Sequence, residues 1–162
     1  MGWAEPPETG QGFLRFCQPP SLSPKIAPGN RRSAMSRPNE IVYDRVFTQD
    51  GESRVEKCRL PLLSREFAPP APAFDVSDAL QAESCRVFRL PPGWRGDWHP
   101  TPIRQWLFIL SGFASIEVSD GGVIGASAGS IVLLEDTDGM GHRTSVSGPD
   151  EVVMAAVQAP LR

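Results

Sequence analysis

His99 and His142 are the only two histidines in the 162-residue chain. Imidazole is the side chain best suited to proton exchange, hydrogen bonding or metal ligation near neutral pH. His99 stands in the stretch GWRGDWHPTPIRQWLFILSG, residues 93–112, followed at even spacing by Thr101 and Gln105. Side chains two apart on an extended chain share a face, so His99, Thr101 and Gln105 point together, and Leu107 and Ile109 carry that face into an apolar interior. Such a pattern makes a polar pocket at the end of a hydrophobic core. Trp94, Trp98 and Trp106 surround the same residues and could wall the pocket mouth, stacking on a planar or apolar ligand. Trp106 has the parity opposite to Gln105 and belongs on the outer face. Arg104 and Arg143 adjoin inward-facing positions and should point to solvent, which leaves Arg95 as the arginine able to grip a carboxylate.

Glu135, Asp136 and Asp138 precede His142 closely. The run Asp136-Thr137-Asp138-Gly139 is not a calcium loop, because its glycine comes too early and no glutamate follows at the required distance. Gly139 and Gly141 permit unusual backbone angles, so a mobile lid ending at His142 is the expected form. No phosphate-binding loop, nucleophile elbow or dinucleotide fingerprint occurs in the chain.

The elements that must position these residues are strands. Ile41-Val42-Tyr43 and Val46-Phe47-Thr48 suggest one strand, Asp50-Gly51 a turn, and Val55 to Leu63 a second strand. Further candidates are Cys85 to Leu90, Gln105 to Leu110, Ala114 to Val118, Ile131 to Leu134, His142 to Val146 and Val152 to Gln158, broken by Gly and Asp. Trp106 to Leu110 and Ile131 to Leu134 are apolar at consecutive positions, which implies that both faces are covered, as in closed barrels and double-sheet jelly rolls. The prolines of Phe67 to Phe74 leave an extended segment on the outside of the barrel, and Asp75 to Gln81 can form a helical turn at most. Residues 1–39 carry Pro6-Pro7, Pro19-Pro20, Pro24 and Pro28 without periodicity and read as a disordered or extended N-terminal segment. Met35 is a candidate natural start, and the barrel domain runs over 40–162.

With 40% hydrophobic residues a chain of this length buries one core. A net charge of -3 lacks the basic surplus that attracts nucleic acid. No apolar run approaches the roughly 20 residues that cross a bilayer as a helix, and the N-terminus lacks a secretory pattern. Cys17, Cys58 and Cys85 are odd in number and contain no CxxC pair, which favours a reducing cytoplasm, with Cys58 and Cys85 expected in the core.

The spacing Gly93, five residues, His99, one, Thr101, three, Gln105, six, Gly112 resembles the first cupin motif, G-x5-H-x-H-x3-E-x6-G. Thr101 stands where the second histidine would be, and Gln105 replaces the glutamate. Gly129 to Val146 is similar to the second motif, G-x5-P-x-G-x2-H-x3-N, with Thr137 to His142 in its P-x-G-x2-H portion, a loop two residues longer, and Val146 in place of the asparagine. The resemblance implies an all-β cupin double-stranded β-helix, a jelly-roll barrel, and a homodimer. It places His142 on a strand facing His99, and makes His99, Gln105 and His142 the ligand set for a divalent transition metal, Fe, Mn, Ni or Zn. Two readings follow. One is a small-molecule-binding cupin with metal optional and a carboxylate as one option for its ligand. The other is a metal-dependent enzyme of dioxygenase or isomerase type.

Overall fold

The computed structural model describes residues 39–160. The expectations for residues 1–38, including the disordered segment and the start at Met35, lie outside the described residues.

Eleven strands and no helix make up the described chain: β1 Glu40–Gln49, β2 Glu52–Pro61, β3 Leu63–Arg65, β4 Phe74–Val76, β5 Ser84–Leu90, β6 Gln105–Ser111, β7 Phe113–Val118, β8 Val123–Ser127, β9 Ile131–Glu135, β10 His142–Val146 and β11 Val152–Gln158. Asp50-Gly51 closes the β1–β2 hairpin as the two residues between paired Gln49 and Glu52, and both have positive φ, 55° and 81°. That is the turn whose twist matches paired strands. Asp75 to Gln81, limited by its sequence to a helical turn at most, forms none; Phe74–Val76 is extended and pairs with Leu63–Arg65.

Six strands form one sheet in the order β2-β1-β9-β6-β11-β5, and three form another, β10-β7-β8. Every pairing is antiparallel except β1 with β9. Alternation along the central strands serves two clusters at once. Leu107 and Ile109 of β6, with Val132 and Leu134 of β9, face Ile116 of β7 and Ile124 of β8 across the main core. The intervening Trp106 and Leu133 point the other way, into a second cluster with Tyr43 and Ala159. Trp106 meets Tyr43 edge to face at 5.0 Å. Both faces of these strands are therefore covered, which is why their sequences show no polar alternation.

The cysteines do not follow expectation. Cys85 is exposed on β5, an end strand of the large sheet, and Cys58 is half-buried. Position at a sheet edge, which local sequence does not reveal, decides this. Arg104 also departs from its expected solvated state. Its side chain is 11% exposed, donates to Glu135 and to the carbonyl oxygen of Pro160, and shares Glu135 with Arg45. Burial alone pushes the Glu135 carboxyl up, but the hydrogen bonds and charges of Arg104 and Arg45 outweigh it and hold the group below the usual carboxylate range. A depressed folded-state pKa stabilises the fold above the unfolded value and is lost as pH falls through the folded one. Stability should therefore decline below about pH 4.3, and Glu135→Gln should flatten that decline while costing about 1–2 kcal/mol at neutral pH, the pair being only partly buried. Urea unfolding of both proteins across pH 3 to 7 checks it.

Candidate functional site

The two histidines face each other because the backbone pairs them. His99 N–H donates to His142 O at 3.0 Å and His142 N–H to His99 O at 2.9 Å, a single antiparallel bridge at the first residue of β10. Residues directly opposite in such a pair put their side chains on one face, and the ring centroids lie 4.9 Å apart. Gly141 allows this approach. Its φ is +71°, and a Cβ there would sit 2.0 Å from the carbonyl oxygen of His99.

Hydrogen bonds then orient each ring. His142, 4% exposed, is bonded through Nδ1 to Oδ2 of the fully buried Asp136 at 2.7 Å. His99, at the exposed rim, is bonded through Nδ1 to the carbonyl oxygen of Asp97 at 2.8 Å. Carbonyl and carboxylate oxygens only accept, so in the neutral imidazoles each Nδ1 carries the proton and each Nε2 keeps a lone pair. Gln105 is oriented the same way. Thr101 Oγ1 donates to Ile103 O at 3.0 Å and so accepts from Gln105 Nε2 at 3.0 Å, leaving the amide oxygen of Gln105 as its free acceptor. The Thr101 N–H in turn donates to Asp136 O at 2.9 Å, tying both halves of the site together.

A cavity of about 140 Å³ opens beside these groups, with His99, Gln105, His142 and Thr144 on its polar side and Phe88, Leu90, Trp94, Leu107, Ile116, Leu134 and Met154 completing it. Of the four residues expected in the pocket, three line it. Thr101 is 1% exposed but does not reach the cavity wall; it holds Gln105. A larger hollow of about 610 Å³, bounded by Glu83, Arg104, Thr137 and Pro160 among others, contains neither histidine.

Trp94 lines the cavity as expected of a mouth residue, whereas Trp98 is 38% exposed and lies under the Arg143 guanidinium at 5.0 Å. Arg143 points outward to Glu117 at 2.6 Å. Arg95 is exposed and absent from the cavity lining, so among the described residues no arginine faces the site. The mobile lid expected before His142 is instead a fastened loop. Thr48 donates to Asp138 O at 3.0 Å, Ser53 Oγ to Gly141 O at 2.6 Å, and Gly139 packs against Gly51. Thr144, Phe88 and Met154 were missed by sequence reasoning. Thr144 was within reach, since it lies two residues beyond His142 on the same face; Phe88 and Met154 meet only through the β5–β11 register.

A divalent metal finds part of a ligand set here. The two Nε2 lone pairs and the Gln105 oxygen suit it, yet no third His, Cys, Asp or Glu joins the histidines among the described residues. Glu135 is engaged by two arginines, and Asp136 lies behind His142 rather than in the cavity. The donor set carries no anion and does not fit a resident two-histidine, one-carboxylate metal centre.

A mixed six-stranded sheet and an antiparallel three-stranded sheet enclosing a histidine-bearing pocket, with the site on β6, β10 and the segment before β6, give this chain a double-stranded β-helix fold, the fold that the resemblance of its motifs to cupins implies. No family model and no curated protein matches the chain. Among solved structures, the chain is similar to an uncharacterized conserved protein with a double-stranded β-helix domain from Klebsiella pneumoniae, at 28% identity over 47% of this chain and 65% of that one, with a TM-score of 0.40. It is also similar to the Cnp3 cupin domain of Schizosaccharomyces pombe, at 13% identity over 76% of this chain and 86% of that one, TM-score 0.40. A third likeness is to the capsular polysaccharide assembling protein CapF of Staphylococcus aureus, at 20% identity over 62% of this chain and 29% of that one, TM-score 0.38.

Proposed function

We propose that the barrel binds a small neutral molecule with an apolar body and a hydrogen-bond-donating head, such as a phenol, an alcohol or a primary amide. One observation carries this reading: three acceptors, Nε2 of His99, Nε2 of His142 and the Gln105 oxygen, border one side of a cavity otherwise walled mainly by apolar side chains. A donor head satisfies acceptors that would otherwise lose hydrogen bonds on dehydration. At about 140 Å³ the space suits a single ring, since a cavity of roughly 150 Å³ holds benzene. A carboxylate fits poorly, because it would meet acceptors and no cation. Free Cys58 and Cys85 are consistent with a reducing compartment such as the cytoplasm, and no helix among the described residues is long and apolar enough to cross a membrane.

A ligand that prefers the folded state raises its stability. Thermal unfolding with a panel of phenols, alcohols and amides, each beside its carboxylic acid counterpart, should show shifts of several degrees for some neutral members and none for the acids, and His99→Ala should abolish the shifts. A panel in which only the acids stabilise would refute the reading. The free Nε2 pair also favours a second reading, a metal-dependent enzyme whose missing anion comes from its substrate. Metal analysis of protein purified without a metal-carrying tag separates the two. A near-stoichiometric transition metal that disappears in the His99→Ala, His142→Ala double variant supports the second and sinks the first.

A further inference from the structure

The hollow of about 610 Å³ is separate from the histidine cavity, for no residue lines both. Its size lies within the roughly 300–1,000 Å³ of small-molecule sites. Segments around Glu83, Arg104 and Pro160 make most of its wall, and backbone hydrogen bonds fasten them together. Glu83 N–H donates to Gln158 O at 2.9 Å, and Ala159 N–H donates to Arg104 O at 2.9 Å. Pro102, Ile103, Ala159 and Pro160 supply apolar surface. A wall fixed in this way need not be ordered when a ligand enters, which removes one cost of binding.

Two charged groups on this wall each keep a free hydrogen-bonding atom. Arg104 commits Nε to Glu135 and Nη1 to Pro160 O at 3.3 Å, while its Nη2 has no partner among the described residues. With the side chain only 11% exposed, the guanidinium is held in one orientation. Ser84 Oγ donates to Gln158 Oε1 at 3.0 Å, which turns the Gln158 amide so that its Nε2 donates to Glu83 Oε2. Glu83 Oε1 is left free, and no ion pair joins Glu83 to Arg104 or to another cation among the described residues. A plain carboxylate entering the hollow would suit Arg104 and be repelled by Glu83; a plain amine would meet the reverse. A zwitterion satisfies both through charge-assisted hydrogen bonds, which are the strong ones. We propose that this hollow binds a free amino acid with an apolar side chain, its carboxylate on Nη2 of Arg104, its ammonium on Oε1 of Glu83 and its side chain on the apolar wall. The site is independent of what the histidine cavity takes.

The test is isothermal titration and thermal unfolding of the full chain with leucine and phenylalanine, each beside its amide, which lacks the carboxylate, and its N-acetyl derivative, which lacks the ammonium. At least one free amino acid is expected to bind and to raise the unfolding temperature at about 10 mM, and the blocked forms to do neither. Glu83→Gln keeps an acceptor for Gln158 but removes the charge, and Arg104→Lys keeps the charge but removes the guanidinium fork; each should weaken binding about tenfold or more. His99→Ala should leave it unchanged. Neither free amino acid binding to the unsubstituted chain would overturn the proposal, as would blocked forms that bind equally well or a Glu83→Gln protein of unaltered affinity. Loss of binding in His99→Ala would overturn it too, since the amino acid would then occupy the histidine cavity. Should Arg104→Lys fail to fold, the blocked forms on the unsubstituted chain still decide.

Discussion

Gly141→Ala is expected to lose about 2–5 kcal/mol of stability and, with it, the ligand-dependent thermal shift. Two effects add. A residue with a side chain at φ +71° is strained by roughly 1–2 kcal/mol. In addition, the new Cβ would lie 2.0 Å from His99 O and 2.2 Å from Pro100 N, so the strands must part. Parting breaks both hydrogen bonds of the His99–His142 bridge, each worth about 0.5–1.5 kcal/mol, and the rings no longer share the cavity wall. Urea unfolding gives the stability and thermal shift gives the binding. A variant with unchanged midpoint and intact ligand response would mean that the bridge does not hold the site. Gly121→Ala is the control: its φ is +93° but nothing lies within 4 Å of the added Cβ, so it should show strain alone and leave binding intact.

Asp136→Ala is expected to cost about 2–3 kcal/mol and to weaken ligand binding about tenfold. Asp136 is fully buried, and its Oδ2 is the acceptor for His142 Nδ1–H. Without it that N–H has no partner, and the ring is free to turn its Nε2 away from the cavity. Asp136 Oδ1 has no hydrogen-bond partner among the described residues, so the substitution also relieves one uncompensated oxygen. This relief keeps the loss below that of a fully satisfied buried pair. Asp136→Asn separates orientation from charge. An amide oxygen can still accept from Nδ1, so binding within about threefold of the unsubstituted protein is expected; a loss as large as that of alanine would show that the negative charge itself is required. Isothermal titration with a ligand found in the thermal panel reads both variants.

Much of the site was legible because strands repeat every two residues. Parity alone put His99 and Gln105 on one face with Leu107 and Ile109, sent Trp106 outward, and turned Arg143 to solvent. It failed for Arg104, which does face outward but meets Glu135 of the adjacent strand and is buried there. β8 escaped notice because Gly125 interrupts a five-residue run, yet Ile124 and Ala126 are core residues. β3 and β4 escaped because three residues are too few to show alternation.

By itself the sequence determined an all-β chain, its apolar central strands, the tight turn at Asp50-Gly51 and the shared face of His99 and Gln105, because each follows from local backbone preference and a period of two. Only the tertiary structure decided that His142 lies directly opposite His99, that Asp136 stands behind it instead of in the cavity, and that β5 is an edge that exposes Cys85 and Val87. Those facts depend on register and strand order, which are fixed by packing between segments far apart in the chain and leave no local mark on the residues they bring together.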